Sequence, residues 1–234
     1  MELDWDKGFR GPDLEKATGD PEELRAFLRE GEHQEQDFKF RIDSSTKIAR
    51  TLSAFANTDG GRLLIGVKDN GKVTGIIPDE EYFMIEGAAD LYCDPKVKFD
   101  YELFDYEDKL VLVIDVPPSA ERPHFVKEKD GKRQAYIRQD DENFAANKVI
   151  LRFLRDRKPD EKRKNLVAYG PAERSLFDLL STETEISLSK FARSAKIPLW
   201  RAEKIMALFL KWGILSYVAT DKGIRFRLKE EATD

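Results

Sequence analysis

The run Ala54-Phe55-Ala56-Asn57-Thr58-Asp59-Gly60-Gly61-Arg62-Leu63-Leu64-Ile65-Gly66-Val67-Lys68-Asp69-Asn70-Gly71 constrains the fold of this chain more than any other stretch. Ahead of it, Ile48, Ala49, Leu52, Phe55 and Ala56 recur at the spacing of one helical face. Ser44 or Ser45 can cap that helix, and Gly60-Gly61 end it. Leu63 to Val67 is a short apolar run of the kind a central strand needs when both its faces are covered. Asp69-Asn70-Gly71-Lys72 is a turn signal, and Val73-Thr74-Gly75-Ile76 is expected to return as a hairpin partner.

The flanking segments extend the pattern. Asp20 before Pro21-Glu22-Glu23 reads as an N-cap, a proline at the first helical position and acids in the first turn, with Gly31 as the stop. Residues 35–40 alternate. Gln36, Phe38 and Phe40 point one way, with Phe38 and Phe40 expected in the core, and Glu35, Asp37 and Lys39 point the other. Residues 79–92 read as a helix, 97–106 and 110–116 as two strands, and a further strand pair surrounds Lys129-Asp130-Gly131-Lys132. Residues 144–155 read as a closing amphipathic helix. The expectation is a mixed α+β domain over residues 1–155, with its core from 30 to 155.

Residues 156–165 are almost all charged and include one proline, the composition of a linker. A compact pattern follows over 166–230. Helices are expected at 171–180, 187–195 and 199–212, then strands at 214–219 and 223–228 around Thr220-Asp221-Lys222. Three helices and a hairpin in that order spell a winged helix-turn-helix.

With 234 residues, 41% apolar and 36% charged, the chain has room for one large or two small domains. One cysteine, Cys93, excludes an internal disulfide framework and reads as a small core residue. No apolar run approaches a membrane span, and the start of the chain is acidic, so a cytoplasmic protein without membrane partners is expected. The net charge of −5 is unevenly spread. Residues 157–234 hold 16 Lys and Arg against 11 Asp and Glu, which leaves −10 for residues 1–156. A basic tail on an acidic body directs attention to a polyanion partner.

Each candidate site has a plain structural alternative. On the third C-terminal helix, Ala202, Ile205, Phe209 and Trp212 are expected inside, and Arg201, Lys204, Leu208 and Lys211 on another face. With Lys190, and with Lys222, Arg225 and Arg227 on or near the wing, these cations can meet phosphates, and Arg201 or Lys204 can reach base edges. The alternative is a solvated face on a module that dimerises. Asp37 and Lys39 share a strand face, as an acid and a lysine do in metal-dependent nucleases, where the acid holds a divalent ion and the lysine stabilises developing phosphate charge. Asp69 and Glu32 can complete an oxygen-ligand set for Mg²⁺ or Mn²⁺. The alternative is a salt bridge between Asp37 and Lys39, with Asp69 a turn residue.

Gly66 to Val73 nearly spells a phosphate-binding P-loop. It lacks the Ser or Thr after the lysine and precedes a strand pattern rather than a helix, so an ATPase is not expected. His33 and His124 are the only histidines, too few for a histidine-rich zinc site. Asn57 and Thr58 read as helix-end caps. Arg138, in Tyr136-Ile137-Arg138, can turn toward phosphate or toward a strand-edge salt bridge.

Taken together, Glu32-x4-Asp37-Phe38-Lys39, Ala54-Phe55-Ala56-Asn57-Thr58-x-Gly60-Gly61, Gly66-Val67-x-Asp69-x-Gly71 and Tyr136-Ile137-Arg138 resemble the Schlafen-type, Alba-like domain family. Such domains are found widely in bacteria, often ahead of a helix-turn-helix. The resemblance covers about residues 30–155. It implies an α+β domain linked to nucleic acid. From vertebrate Schlafen relatives it also implies a metal-dependent RNA-cleaving site at Glu32, Asp37 and Asp69, with Lys39 beside them. This chain departs from the family at two points: Asp37 stands where glutamate is usual, and Gln36 where an apolar residue is usual.

The leading expectation is a DNA- or RNA-binding, regulator-like protein that grips through its C-terminal module. A divalent-metal-dependent endoribonuclease and a winged helix that forms a homodimer are the alternatives.

Overall fold

The computed structural model describes residues 14, 16–155 and 170–229. The expected linker at 156–165 lies outside them. The first helix, α1 (Pro21–Glu30), is capped by Asp20, whose side chain accepts from the Glu22 N–H. It leads into β1 (Gln36–Lys39) and then α2 (Ser45–Asn57), capped by Ser44. After the double glycine come β2 (Gly61–Ile65), α3 (Pro78–Gly87) and a π-helical turn at Ala88–Tyr92. The strands β3 (Cys93–Asp94), β4 (Asp100–Tyr106), β5 (Lys109–Val116), β6 (Phe125–Lys127), β7 (Arg133–Gln139) and β8 (Glu142–Ala145) follow, and then α4 (Lys148–Arg155).

One sheet has the order β1-β2-β5-β4, with β1 parallel to β2 and the other pairs antiparallel. Alternation along its strands feeds two apolar layers. Leu63, Ile65, Leu112 and Ile114 pack with Leu52 and Phe55 of α2 and Ile85 of α3. Phe38, Leu64, Val111 and Val113 pack with Leu24 of α1 on the opposite face. A second sheet, β3-β6-β7-β8, lies against α2. Helix α2 is thus wrapped from several sides and is buried along most of its length.

The double glycine has a steric cause. A Cβ on Gly61 would stand 2.4 Å from the Phe55 ring, and one on Gly60 would stand 2.8 Å from the Val116 carbonyl oxygen. Gly60 also has φ +83°, open to glycine at little cost.

Three local expectations need correction. The strand ends at Lys39, so Phe40 escapes the alternation and is 47% exposed. The expected hairpin at 73–76 reduces to a single bridge, Val67 to Val73, because positive φ at Gly66 and Gly75 interrupts the ladder. The expected helix at 144–155 begins only at Lys148. Glu142–Ala145 instead turns back on β7 through Asp140, which has φ +57°.

The C-terminal segment comprises α5 (Pro171–Thr182), α6 (Leu188–Ser194), α7 (Leu199–Lys211), β9 (Leu215–Thr220) and β10 (Gly223–Leu228), the last two an antiparallel hairpin. Its core includes Leu176, Phe191, Ala202, Met206, Phe209 and Phe226, and is continuous with Val149, Ile150 and Leu154 of α4 and with Ala135 and Ile137 of β7. Helix α4 packs against α7, and Ala219 N–H donates to Gln139 Oε1 at 2.8 Å. Trp212, expected inside, falls just past the end of α7, is 43% exposed and stacks on Phe209.

Candidate functional site

Strand β1 stands at the margin of its sheet, and that margin places the residues the sequence singles out. The N–H groups and carbonyls of Gln36 and Phe38 would be orphans there. Each has a partner. The backbones of His33 and Gln36 exchange hydrogen bonds, Phe38 N–H donates to Glu32 Oε1 at 3.0 Å, and Lys39 Nζ donates to the Phe38 carbonyl at 2.8 Å. Arg138 Nη2 donates to the Gln36 carbonyl at 2.9 Å. Glu32, Lys39 and Arg138 therefore close one strand edge.

Asp37 faces the α2 side of the sheet, opposite Phe38, and is only 4% exposed. Its Oδ1 accepts from Arg138 Nη2 at 3.3 Å. Its Oδ2 lies 2.6 Å from Lys39 Nζ, a charge contact without good hydrogen-bond alignment, since the ammonium also serves the Phe38 carbonyl. Arg138 is 1% exposed, donates twice more to the His33 carbonyl, and lies 4.9 Å from the centre of the Phe55 ring. The expectation that Arg138 turns toward phosphate does not fit this placement, because no part of it faces solvent. The apparent misfit Gln36 is also explained. It is fully buried, and its amide donates to the Phe27 and Gly31 carbonyls at 2.7 and 2.6 Å, anchoring the end of α1.

Asp69 lies in an exposed turn, where Gly71 N–H donates to the Lys68 carbonyl and no helix begins. Burial pushes the Glu32 carboxyl above the usual carboxylate range. The bond from Phe38 N–H opposes that push, and nearby Asp37 and Asp69 add to it while Lys39 opposes it. The four groups thus feel one another. Asp37 is already neutralised by Arg138 and Lys39, and among the described residues no three His, Cys, Asp or Glu side chains stand as a metal-holding group.

Asn57, expected as a helix-end cap, has a larger part. Its amide donates to the His124 and Tyr136 carbonyls at 3.0 and 2.8 Å and to Ser53 Oγ at 3.2 Å, and its Oδ1 accepts from His124 N–H at 2.8 Å. It ties α2 to β7 and to the segment entering β6. Thr58 Oγ1 donates to the Ala54 carbonyl, and Arg122 to the Asn57 and Thr58 carbonyls, which satisfies the end of α2. Burial pushes the Cys93 thiol up to about 12, in keeping with a core role.

Near α2, Arg50 forks onto both oxygens of Glu128, and the Tyr136 hydroxyl donates to Glu128 Oε1 at 2.6 Å. The Arg50 bond, and then that of Tyr136, holds the Glu128 carboxyl below its usual range. A depressed carboxyl contributes stability above the ordinary carboxylate pKa and loses it as pH falls through its folded value. Glu128→Gln is therefore expected to melt below the parent at pH 7 and to converge with it in strong acid. An unchanged gap at low pH, followed by thermal denaturation, would contradict this. Burial also pushes His124 below its ordinary value, so its contribution is likewise present above the ordinary histidine pKa and lost on acidification.

The basic C-terminal residues are distributed differently. On α7, Ala202, Glu203, Ile205, Met206, Ala207, Phe209 and Leu210 are buried, while Arg201 and Lys204 are exposed and Lys211 is half-buried. Lys222 and Arg227 of the hairpin are exposed, and Arg225 is half-buried. Among the described residues, Arg201, Lys204, Lys222, Arg225 and Arg227 have no carboxylate partner, whereas Lys190 pairs with Glu183.

No curated protein matches the chain. Among solved structures, the crystal structure of the DIP2311 protein from Corynebacterium diphtheriae is similar at 18% identity and a TM-score of 0.39, over 53% of this chain and 24% of that one. The solution structure of the N-terminal domain of a RecG-related protein from Nitrosomonas europaea is similar at 24% identity and a TM-score of 0.39, over 50% of this chain and 87% of that one. The chain thus spans about a quarter of the DIP2311 protein. No helix among the described residues is long and apolar enough to cross a membrane. The model of the Schlafen, AlbA_2 family matches from Glu32, at the closed edge of β1, to Asn147, just ahead of α4, and across residues 32–147 this chain belongs to that family.

Proposed function

We propose that this chain is a nucleic-acid-binding protein of regulator-like type that holds DNA through a C-terminal winged helix. The observation carrying this reading is the division of α7. One broad side is buried, and Arg201 and Lys204 stand free on the other, beside the exposed hairpin cations Lys222 and Arg227. In such a module the helix enters the major groove and the hairpin contacts the flanking backbone. The net charge of +5 over residues 157–234 supplies the sequence-independent attraction, and the Schlafen, AlbA_2 body presents the module. On this reading residues 1–155 are the body and 166–230 the gripping module.

The test is binding of a fluorescent duplex as a function of salt. Each phosphate contact contributes about 0.9 to the slope of log K against log salt. Arg201→Ala/Lys204→Ala is expected to weaken binding at least tenfold and to reduce that slope by roughly two. Binding indifferent to salt, or unchanged in the double variant, would overturn the proposal. A concentration-dependent dimer in its place would assign the module to self-association.

A further inference from the structure

The body carries an exposed feature that the α7 stripe does not use. Phe40 stands directly after β1 and is 47% exposed. The Arg41 guanidinium lies 5.8 Å from the centre of its ring and Lys68 Nζ 5.4 Å, both on exposed residues. The ring forms part of the lining of a cleft of about 630 Å³ that also includes Lys47, Arg50 and Tyr136. That volume lies within the range of about 300–1,000 Å³ in which proteins hold small molecules and cofactors.

The other cations of this region are engaged. Lys47 pairs with Asp43, Arg50 with Glu128 and Lys39 with Asp37. Among the described residues neither Arg41 nor Lys68 forms a close ion pair; both lie against the aromatic ring, and Arg41 also feels the Glu81 carboxylate at longer range. The cleft lining also includes Asp43, Glu142 and Asp221, so charge alone does not select a polyanion there. An exposed ring with cations beside it adds a second, charge-independent source of affinity, because every nucleobase offers a π-face.

We infer that Phe40 is a stacking platform for an unpaired base of a single-stranded nucleic acid, with Arg41 and Lys68 meeting the adjoining phosphates. A cation over an exposed ring is held weakly, and a stacked base is held more strongly. The base therefore displaces the cation, which stays tethered beside the ring and within reach of a phosphate. A duplex has no free base to offer, so this surface distinguishes single strands from paired ones. The inference rests on the nucleic-acid reading above but uses a different surface.

The experiment compares wild type, Phe40→Ala and Phe40→Trp for binding to oligothymidylate, oligouridylate and a duplex. Phe40 is outside the core, and matching melting curves verify that the variants fold. Phe40→Ala is expected to lose roughly 5- to 150-fold in affinity for the single strands. Phe40→Trp should retain it, and duplex binding should not change. A loss with only one of the two single strands supports the platform as well and shows that the 2′-hydroxyl or the base methyl group tunes it. Single-strand binding equal in Phe40→Ala and wild type, or duplex binding alone in wild type, overturns the inference and leaves the winged-helix reading standing. Failure of wild type to bind any of the three overturns both.

Discussion

Replacing Arg138 with methionine is expected to lower the melting temperature by roughly 10 °C. The guanidinium is 1% exposed and is hydrogen-bonded to Asp37, to the carbonyls of His33 and Gln36 and to Asn143. Methionine keeps most of the volume and removes every donor. A buried carboxylate that loses one partner costs about 3–5 kcal/mol, and for a chain of this size each kcal/mol shifts the midpoint by about 2–4 °C. Adding Asp37→Leu should restore part of the loss, because the charge left behind disappears as well. A single variant melting within a degree or two of wild type would mean that Asp37 draws its compensation elsewhere, from Lys39 alone.

Asn57→Asp is the second large effect. The change is nearly isosteric, but it sets a carboxylate oxygen against the His124 and Tyr136 carbonyls, which now accept from the Asn57 amide. The expected cost at neutral pH is about 3 kcal/mol or more, combining lost hydrogen bonds with an unpaired buried charge. Such an aspartate has a raised pKa, so the cost shrinks as pH falls and the protonated acid regains a donor. Chemical unfolding at pH 7 and pH 4 measures this directly. Equal destabilisation at both values would show that geometry rather than charge is at fault, and no destabilisation would contradict the bridging role.

What was legible in the sequence follows from what is local. Helix α2, the double-glycine corner, strand β5 and the ββ pair ending at Leu228 stand close to where periodicity and turn residues place them. Phe40 was misjudged because alternation says nothing about where a strand stops. Strand β8 was missed because Glu142-Asn143-Phe144-Ala145 is too short to carry a pattern and is set by the Asp140 turn. The face of Asp37 and its pairing with Lys39 were legible, but not its burial, since its second cationic partner, Arg138, lies 101 positions away. The pairing of α4 with α7 is likewise a long-range event, joining elements on either side of the charged stretch. The stripe of Arg201 and Lys204 was readable because a helix that buries one broad side fixes the other by geometry alone.

The side chains along β1 have a further meaning for how copies of this chain meet. An unfinished sheet invites a neighbour to dock alongside and lengthen it, the route by which many proteins polymerise or capture extended peptides. Glu32, Lys39 and Arg138 occupy the positions such an intruder would need. Self-assembly by strand addition is closed on this flank, and in this sheet only the opposite margin, β4, remains for it.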